Sequence, residues 1–244
     1  MSRVVHFLAS SEHPVARAVR SARRGILRFT LPAPAALVRP VLWTYVGMRT
    51  SYHFVKRVLI CEPLFKAYCT RYGAGVRTGV FVHWVQGKGV MNLGDNVLVD
   101  GKCSFTFTGQ YVPDPTLEIG DHTYIGHDCS FSVGRRISIG RNCLIARGVW
   151  MYDVSGHPTD PEARLAGRPA PAGNVKPIEL GDNVWVGSGC HILPGTVIGA
   201  GSVVSAGSVV RGRIPPHTLV AGNPAVAIRD LSADVGASAP ADSR

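Results

Sequence analysis

The 244-residue sequence contains six cysteines, but no two of them have the C-x-x-C spacing typical of metal sites and redox motifs. Its first residues lack the apolar stretch of a secretory signal. Residues 29–48 are apolar, but Pro32, Pro34, Arg39 and Pro40 interrupt them, which disfavours an uninterrupted membrane-spanning helix. These absences predict a cytoplasmic protein with reduced thiols.

Acidic residues are scarce in the first third of the chain. Residues 1–80 contain 13 Lys and Arg against only Glu12 and Glu62, a net charge of +11, whereas the remainder contains 13 against 14. Such a basic segment suits an anionic membrane surface, an acidic glycan or nucleic acid, or forms a solvated helix face.

Pro40 can begin one helix. Tyr52–Tyr72 predicts another, whose interleaved apolar and basic residues fit a membrane interface, the next domain or a partner subunit.

The sequence does have a clear period of six residues. An aliphatic residue returns at every sixth position through one stretch: Leu180, Val186, Ile192, Ile198, Val204 and Val210. This period fits neither an α-helix nor a simple strand, and it indicates a repeat architecture. Three six-residue units make one triangular coil, and five such sets predict coils stacked about 4.8 Å apart. Small residues four positions after the aliphatic ones are predicted to be buried, including four of the cysteines: Cys103, Cys129, Cys143 and Cys190.

Interruptions of the period define the predicted domain organisation. A long polar insertion at 152–179, rich in Pro and Gly, is unusual on a rigid scaffold unless it has a function or is disordered. We predict a basic helical region over 1–75, a β-helix over 76–215, a C-terminal segment with a short helix over 216–231, and a disordered tail over 232–244.

Four motifs accompany the repeat in a fixed order: the Gly156–Arg164 loop, Asp182–Gly187, Ile214–Pro216 and Gly222–Ala225. Over about Leu93–Leu231 the chain resembles the hexapeptide-repeat acyltransferases, most closely the maltose, galactoside and nodulation-factor O-acetyltransferases. The resemblance implies an all-β, left-handed parallel β-helix, against the usual right-handed preference of crossovers. It also implies a homotrimer that binds acetyl-CoA in clefts between neighbouring subunits.

The resemblance makes His157 the expected catalytic base. Moving an acyl group from a thioester to a hydroxyl needs a base for the hydroxyl proton and donors for the oxyanion, and imidazole suits the first task. The loop contains no cysteine, and the period points the repeat cysteines inward. Direct transfer is therefore predicted rather than a covalent acyl-enzyme, with a backbone N–H near Ser188 as the oxyanion donor.

Cofactor positions follow from the same matching of residues. Ser188 and Ala206 correspond to positions beside the pantetheine arm. Arg211 and Arg229 correspond to the region of the nucleotide end, where guanidinium groups suit phosphate, although solvated charges are the alternative. The Pro215-Pro216 pair either flanks the adenine or only ends the coil.

The predicted acceptor is a sugar or glycan, and here the sequence departs from the family. Asp100 stands where relatives commonly have Asn, so it either orients His157 of a neighbouring subunit, binds a sugar hydroxyl or is an ordinary corner residue. Tyr111 and Asp153 are further candidates. Several aromatic residues can stack on a sugar ring, although the period points Phe105 inward: Phe105, Phe107, Tyr111, Trp150 and Tyr152. The acceptor class stays open among free sugars, polysaccharide precursors, lipid-linked glycans and small metabolites, and the acyl chain can be longer than acetyl.

Two other classes of function were considered. A non-catalytic β-helical scaffold or membrane-docking module is disfavoured by the complete His157 loop. A gamma-class carbonic anhydrase needs zinc-binding histidines, and His83, His122 and His127 come nearest, but the partner expected after His127 is Ser132. We therefore predict no metal and no nucleic-acid partner, and peripheral membrane contact through the basic N-terminal region as an option.

Overall fold

A computed structural model describes residues 3–234. Two compact units, Met1–Thr50 and Ser51–Arg244, meet inside a helix. The first unit contains α1 (Arg3–Ser10), α2 (Pro14–Arg28) and most of α3 (Ala35–Lys56), which confirms the helical character of the N-terminal region. Among residues 3–234, no helix combines the length and the apolar character needed to cross a bilayer.

The helices after residue 35 differ from the two that were predicted. Pro40 lies inside α3 rather than at its start, and a π-helical turn (Arg57–Cys61) leads into α4 (Glu62–Tyr68). The helix does not reach residue 72, because Arg71–Tyr72 forms the first strand and pairs with Asn92 and Leu93 one coil further on. The first strand of the β-helix thus precedes the expected start at residue 76.

Within the described residues 3–234, twenty-one strands, numbered in chain order, form three sheets. Sheet 1 contains β1 (Arg71–Tyr72), β4 (Val90–Leu93), β7 (Thr116–Ile119), β10 (Arg136–Ile139), β13 (Ile178–Leu180), β16 (Val197–Ile198) and β19 (Arg213–Ile214). Sheet 2 contains β2 (Arg77–Thr78), β5 (Leu98–Val99), β8 (Tyr124–Ile125), β11 (Leu144–Ile145), β14 (Trp185–Val186), β17 (Val203–Val204), β20 (Thr218–Gly222) and β21 (Ala225–Asp230). Sheet 3 contains β3 (Trp84–Gln86), β6 (Ser104–Phe107), β9 (Ser130–Val133), β12 (Trp150–Tyr152), β15 (His191–Ile192) and β18 (Val209–Val210).

The chain visits the sheets in the order 1, 2, 3, so three consecutive strands make one coil of a three-sided parallel β-helix. From β1 to β20, equivalent strands of successive coils pair in parallel, as Ile125 does with Ile145 and Ile145 with Val186. The predicted stack of triangular coils is confirmed. The three edges are named corner 1/2, corner 2/3 and corner 3/1 after the sheets that they join.

The interior follows the period of six. The repeat aliphatic residues are buried, and so are the four repeat cysteines, as predicted. Burial raises the pKa of the Cys143 and Cys190 thiols, which keeps them as neutral packing groups. Where the small residue carries a hydroxyl group, that group bonds to the backbone: Ser202 Oγ donates to Pro215 O at 2.8 Å, and Ser208 Oγ accepts from Gly222 N at 3.2 Å. These buried hydroxyl groups thereby retain a hydrogen bond.

The C-terminal segment is not the short helix predicted for Val226–Leu231. It forms β21, which runs antiparallel to β20 with Leu219 opposite Arg229. This pairing supplies partners for backbone groups of the last sheet 2 strand, which would otherwise be an open edge. Leu231 N donates to His217 O at 2.6 Å, and a short 3-10 turn (Ser232–Asp234) follows. The predicted disordered tail, apart from this turn, lies outside the described residues.

Candidate active site

Asp153 stands where the long insertion leaves the β-helix, and it also contacts the segment where the insertion returns. Its side chain is 0% exposed and accepts hydrogen bonds from the backbone N–H groups of Gly134 (2.5 Å), Arg135 (2.7 Å) and Arg136 (2.7 Å). Its carbonyl accepts from Lys176 N at 2.9 Å, where the loop returns. Burial raises the pKa of Asp153, although the three N–H donors act in the opposite direction. Asp153 therefore holds the base of the loop, and its carboxylate is not available to a sugar hydroxyl as predicted.

Between these ends the loop has local structure of its own. A short helix, α5 (Pro161–Leu165), begins where Asp160 Oδ2 accepts from Ala163 N at 2.7 Å. Arg164 Nη1 donates to Pro158 O at 3.0 Å and so folds the helix back onto the segment that carries His157. Pro158 is buried, whereas His157 is exposed. The loop thus presents the predicted base to solvent at corner 3/1.

The two predicted pantetheine residues line one groove of about 460 Å³ at corner 2/3. Ser188 follows β14 and Ala206 follows β17, so they stand one coil apart on the same edge. Trp185 and Leu219 provide apolar walls on the outer face of sheet 2, and sequence reasoning missed both. The alternation of side chains along a strand predicted this position. Trp185 and Leu219 each directly precede a repeat valine that faces inward, so both face outward.

A second groove of about 430 Å³ lies at the end of sheet 2. Pro215 and Pro216 line it together with Arg229, so the predicted adenine and phosphate residues are brought together. Thr218 lines this groove and Leu219 lines the first, which makes the two adjacent. Arg211 is different: it is exposed in the turn from β18 to β19, at corner 3/1.

Asp100 belongs to a polar cluster at corner 2/3. Its Oδ1 accepts from Gly101 N at 2.8 Å, and its Oδ2 accepts from the Tyr124 hydroxyl at 3.3 Å and lies 4.0 Å from His127 Nε2. Burial raises the pKa of Tyr124, and the neighbouring Asp100 carboxylate adds to the effect. Gly101 has a φ of 62°, and a Cβ there would meet His127, so this close stacking requires glycine. Sequence reasoning missed Tyr124 and His127 as neighbours of Asp100. The period could have identified them, because both lie beside Ile125, which stands one coil after Val99.

The aromatic residues considered for sugar stacking divide into two groups. Phe105 and Phe107 are buried, and Phe105 stacks on Phe131 with ring centroids 5.2 Å apart, as its position in the repeat predicted. Trp150 faces outward from sheet 3 and stacks on His191 at 5.7 Å. Tyr152 is half-buried at the end of the same strand, and Tyr111 is half-buried in the insertion between β6 and β7 at corner 3/1.

One chain does not bring all the predicted site residues together. His157, Tyr111 and Arg211 lie at corner 3/1, whereas Asp100 and the groove containing Ser188 lie at corner 2/3. Sheet 3 separates the two corners. A single chain therefore places the predicted imidazole base and the groove at different corners.

The three histidines considered for zinc are also dispersed. His83 is buried, and its Nδ1 accepts from Cys103 N at 3.2 Å. His122 lies at corner 1/2 and His127 at corner 2/3. Across residues 3–234, no three His, Cys, Asp or Glu side chains are grouped so that they could hold a metal ion.

Two family models match the repeat. Residues 117–151 match the hexapeptide repeat of succinyl-transferase, and residues 177–212 match the bacterial transferase hexapeptide. These segments run from β7 to β12 and through β13 to β18. They exclude most of the inserted loop that carries His157.

The relatives and solved structures similar to the chain agree with these models. It is 40% identical over 109 residues to nodulation protein L of Rhizobium meliloti, covering 45% of this chain and 57% of the relative. It is 34% identical over 140 residues to galactoside O-acetyltransferase of Escherichia coli, covering 57% and 64%. The matches thus span less than two thirds of either relative. An N-acyltransferase from Bacillus cereus, solved with dTDP and 3-hydroxybutyryl-CoA, shares the fold with a TM-score of 0.57, 20% identity, and coverage of 71% of this chain and 89% of that one.

Proposed function

We infer that this chain, which belongs to the hexapeptide-repeat acyltransferase family, transfers an acetyl group from acetyl-CoA to a hydroxyl of a sugar or glycan. The observation that carries the proposal is the pair of adjacent grooves, one lined by Ser188 and Ala206 and the other by Pro215, Pro216 and Arg229. From one groove to the next, the lining changes from small and apolar residues to a basic one. This order suits an elongated donor with a thioester arm at one end and a phosphorylated nucleotide at the other.

Two of the three similar proteins described above support this assignment. The Escherichia coli relative is a galactoside O-acetyltransferase, and the Rhizobium relative is a nodulation protein. The Bacillus cereus structure contains dTDP and an acyl-CoA, 3-hydroxybutyryl-CoA. The acetyl donor and the sugar hydroxyl acceptor of this chain are our proposal.

We further propose that the coil is left-handed and that three copies form a ring in which neighbours complete the site. The separation of His157 from the Ser188 groove within one chain supports this arrangement. Apolar side chains also form a row on the outer face of sheet 2: Leu98, Tyr124, Leu144, Trp185, Val203 and Leu219. Burial of such a row against a second copy favours association. The loop of one copy would then reach the groove of the next.

In the proposed reaction the acceptor hydroxyl attacks the thioester carbonyl directly. His157 removes the hydroxyl proton as the new ester bond forms, and it returns that proton to the thiolate of coenzyme A as the thioester bond breaks. A backbone N–H near Ser188 stabilises the oxyanion. The described thiols of the repeat are buried in the interior, which supports direct transfer and a cytoplasmic, reducing location.

The acceptor side is proposed to include Asp100 with its neighbours Tyr124 and His127. Together they offer a carboxylate, a phenol and an imidazole at one corner, a set that suits sugar hydroxyls. Asp100 Oδ1 accepts from Gly101 N and Oδ2 accepts from the Tyr124 hydroxyl, so a sugar hydroxyl would share Oδ2 with Tyr124. Arg211 is proposed to reach the nucleotide end only in the assembled ring, because it lies at corner 3/1.

The test is the release of coenzyme A thiol from acetyl-CoA with a panel of sugar acceptors. We expect His157→Ala to reduce kcat by roughly 100- to 10,000-fold, the usual contribution of a general base, with unchanged thermal stability. The matched control is His122→Asn, since His122 is an exposed histidine at corner 1/2 with a φ of 56° that asparagine tolerates. A His157→Ala protein with the wild-type rate would falsify the proposed mechanism.

A further inference from the structure

Helix α2 has two chemically distinct faces. Val15, Val19 and Ile26 are spaced to share one face, and they are 56%, 42% and 75% exposed. Arginines occupy the opposite side of the helix: Arg17, Arg20, Arg24 and Arg28. An apolar stripe of this width is normally buried against a core. Here it faces outward, so it is available to a partner.

The α1–α2 hairpin is preformed rather than a loose pair of helices. Arg20 Nη1 donates to Leu8 O at 2.9 Å and its Nη2 to Ser11 O at 2.8 Å, so this arginine satisfies carbonyls at the end of α1. Ala16, on the side of α2 toward α1, is fully buried. The other four arginines of α2 have no such role: within the described residues, no salt bridge is formed by Arg17, Arg23, Arg24 or Arg28.

The charge of this unit is strongly one-sided. Residues 1–50 contain eight arginines and a single acidic residue, Glu12. Further large apolar side chains are exposed on the adjoining helix α3: Leu37, Val41, Leu42, Trp43, Tyr45 and Met48. Unpaired arginines beside exposed aliphatic and aromatic groups are the composition of helices that lie in a membrane interface.

We propose that the first unit docks on an anionic lipid bilayer, with the apolar face of α2 at the boundary between headgroups and acyl chains. Arg17, Arg24 and Arg28 then lie level with the lipid phosphates. A second copy of the unit is a poor alternative occupant, because its surface carries the same positive charge. Nucleic acid matches the arginines but leaves Val19 and Ile26 without apolar contact. This inference does not depend on the acyl-transfer proposal.

Flotation of the full-length protein with lipid vesicles tests the proposal. We expect binding to phosphatidylcholine vesicles containing one quarter phosphatidylglycerol at low salt, and weak binding to phosphatidylcholine alone. The triple variant Arg17→Ala, Arg24→Ala, Arg28→Ala should lose roughly 100-fold in binding, which corresponds to about 3 kcal/mol at 1.4 kcal/mol per tenfold. The variant Val19→Asp, Ile26→Asp, which tests the apolar contact separately, should also fail to float.

The matched control removes the same charge from the β-helix. Arg77→Ala, Arg135→Ala, Arg213→Ala replaces three exposed arginines of the second unit and should bind vesicles like the wild type. Equal loss in this control would show that binding depends on net charge alone, and the docking surface would be wrong. Retained flotation of the α2 triple variant would also overturn it, as would retained flotation of the Val19→Asp, Ile26→Asp protein. The proposal would also be overturned if the wild-type protein did not bind anionic vesicles but bound RNA or self-associated through this helix.

Discussion

Asp153 illustrates how one side chain supports the candidate site without touching a substrate. Its carboxylate joins the corner at Gly134–Arg136 to the start of the inserted loop, and its carbonyl joins the end of that loop at Lys176. The segment that carries His157 is therefore closed at its base by a single residue. A residue selected from sequence as a substrate contact turns out to position the loop.

Asp153→Ala should destabilise the protein by roughly 2–4 kcal/mol, because three backbone donors lose their acceptor in a buried place. Urea denaturation gives the free energy of unfolding. Asp153→Asn should lie between alanine and the wild type, since its amide keeps one acceptor oxygen. Asp114→Ala, at an exposed position in another insertion, is the control and should change stability by less than about 0.5 kcal/mol. A neutral Asp153→Ala protein would show that the loop base is held by its other contacts.

Helix α4 is the element that packs on the first coil. Phe65 is buried and contacts the ring of His83 at a centroid distance of 4.6 Å, and both rings pack near Phe105. Burial lowers the pKa of His83 to about 4, and the nearby Asp100 acts in the opposite direction. The hydrogen bond from Cys103 N to Nδ1 also requires that nitrogen to be unprotonated. The contact between α4 and the coil therefore contains a histidine that is neutral when folded.

This contact predicts a loss of stability in acid. The pKa of His83 is about 4 when folded and near its ordinary value of 6.5 when unfolded, so the unfolded state binds the extra proton between these values. The free energy of unfolding should fall as the pH drops from about 6.5 to about 4, by up to about 3 kcal/mol from this group. Urea titrations across this window should show a flatter dependence for His83→Asn, which keeps an acceptor for Cys103 N–H. The His122→Asn control should follow the wild type, and an unchanged slope in His83→Asn would contradict the assignment.

At the scale of the whole molecule, the distribution of residues between two corners is the main feature. His157 and Ser188 lie on either side of sheet 3, so in the proposed ring they meet only across the interface between two copies. Cyclic assemblies place a different surface of each copy against the next, which can join corner 3/1 of one copy to corner 2/3 of another. The outward row of apolar residues on sheet 2 lies beside the groove where this contact is expected.

Mixed assemblies test this arrangement. His157→Ala lacks the base, and Ser188→Trp fills the groove, so each protein alone should be inactive. Coexpressed in equal amounts, they should regain about one quarter of the wild-type rate, because each interface draws its loop and its groove independently from two kinds of subunit. Coexpression of His157→Ala with the double variant His157→Ala, Ser188→Trp should stay inactive. Absence of any recovery in stable mixed assemblies would place the complete site within one chain.

The sequence alone determined the coils. The period of six specifies local backbone and the alternation of inward and outward residues, so the buried aliphatic residues, the cysteines and Phe105 followed directly. It also placed Ser188 with Ala206, because residues at equal positions in successive coils must stack. These relations depend on the repeat itself and need no knowledge of distant contacts.

The tertiary structure decided what the repeat does not encode. The segment predicted as a helix over Val226–Leu231 contains strand β21 (Ala225–Asp230) instead, because an open sheet edge offered hydrogen bonds that outweigh local preference. Asp153 was drawn inward by N–H donors from the preceding coil, and Asp100 gained Tyr124 and His127 as neighbours from the next. The period identifies which face a residue occupies, whereas its partners depend on segments that are remote in sequence. For the same reason, only the folded β-helix shows that the His157 imidazole and the Ser188 groove lie at different corners.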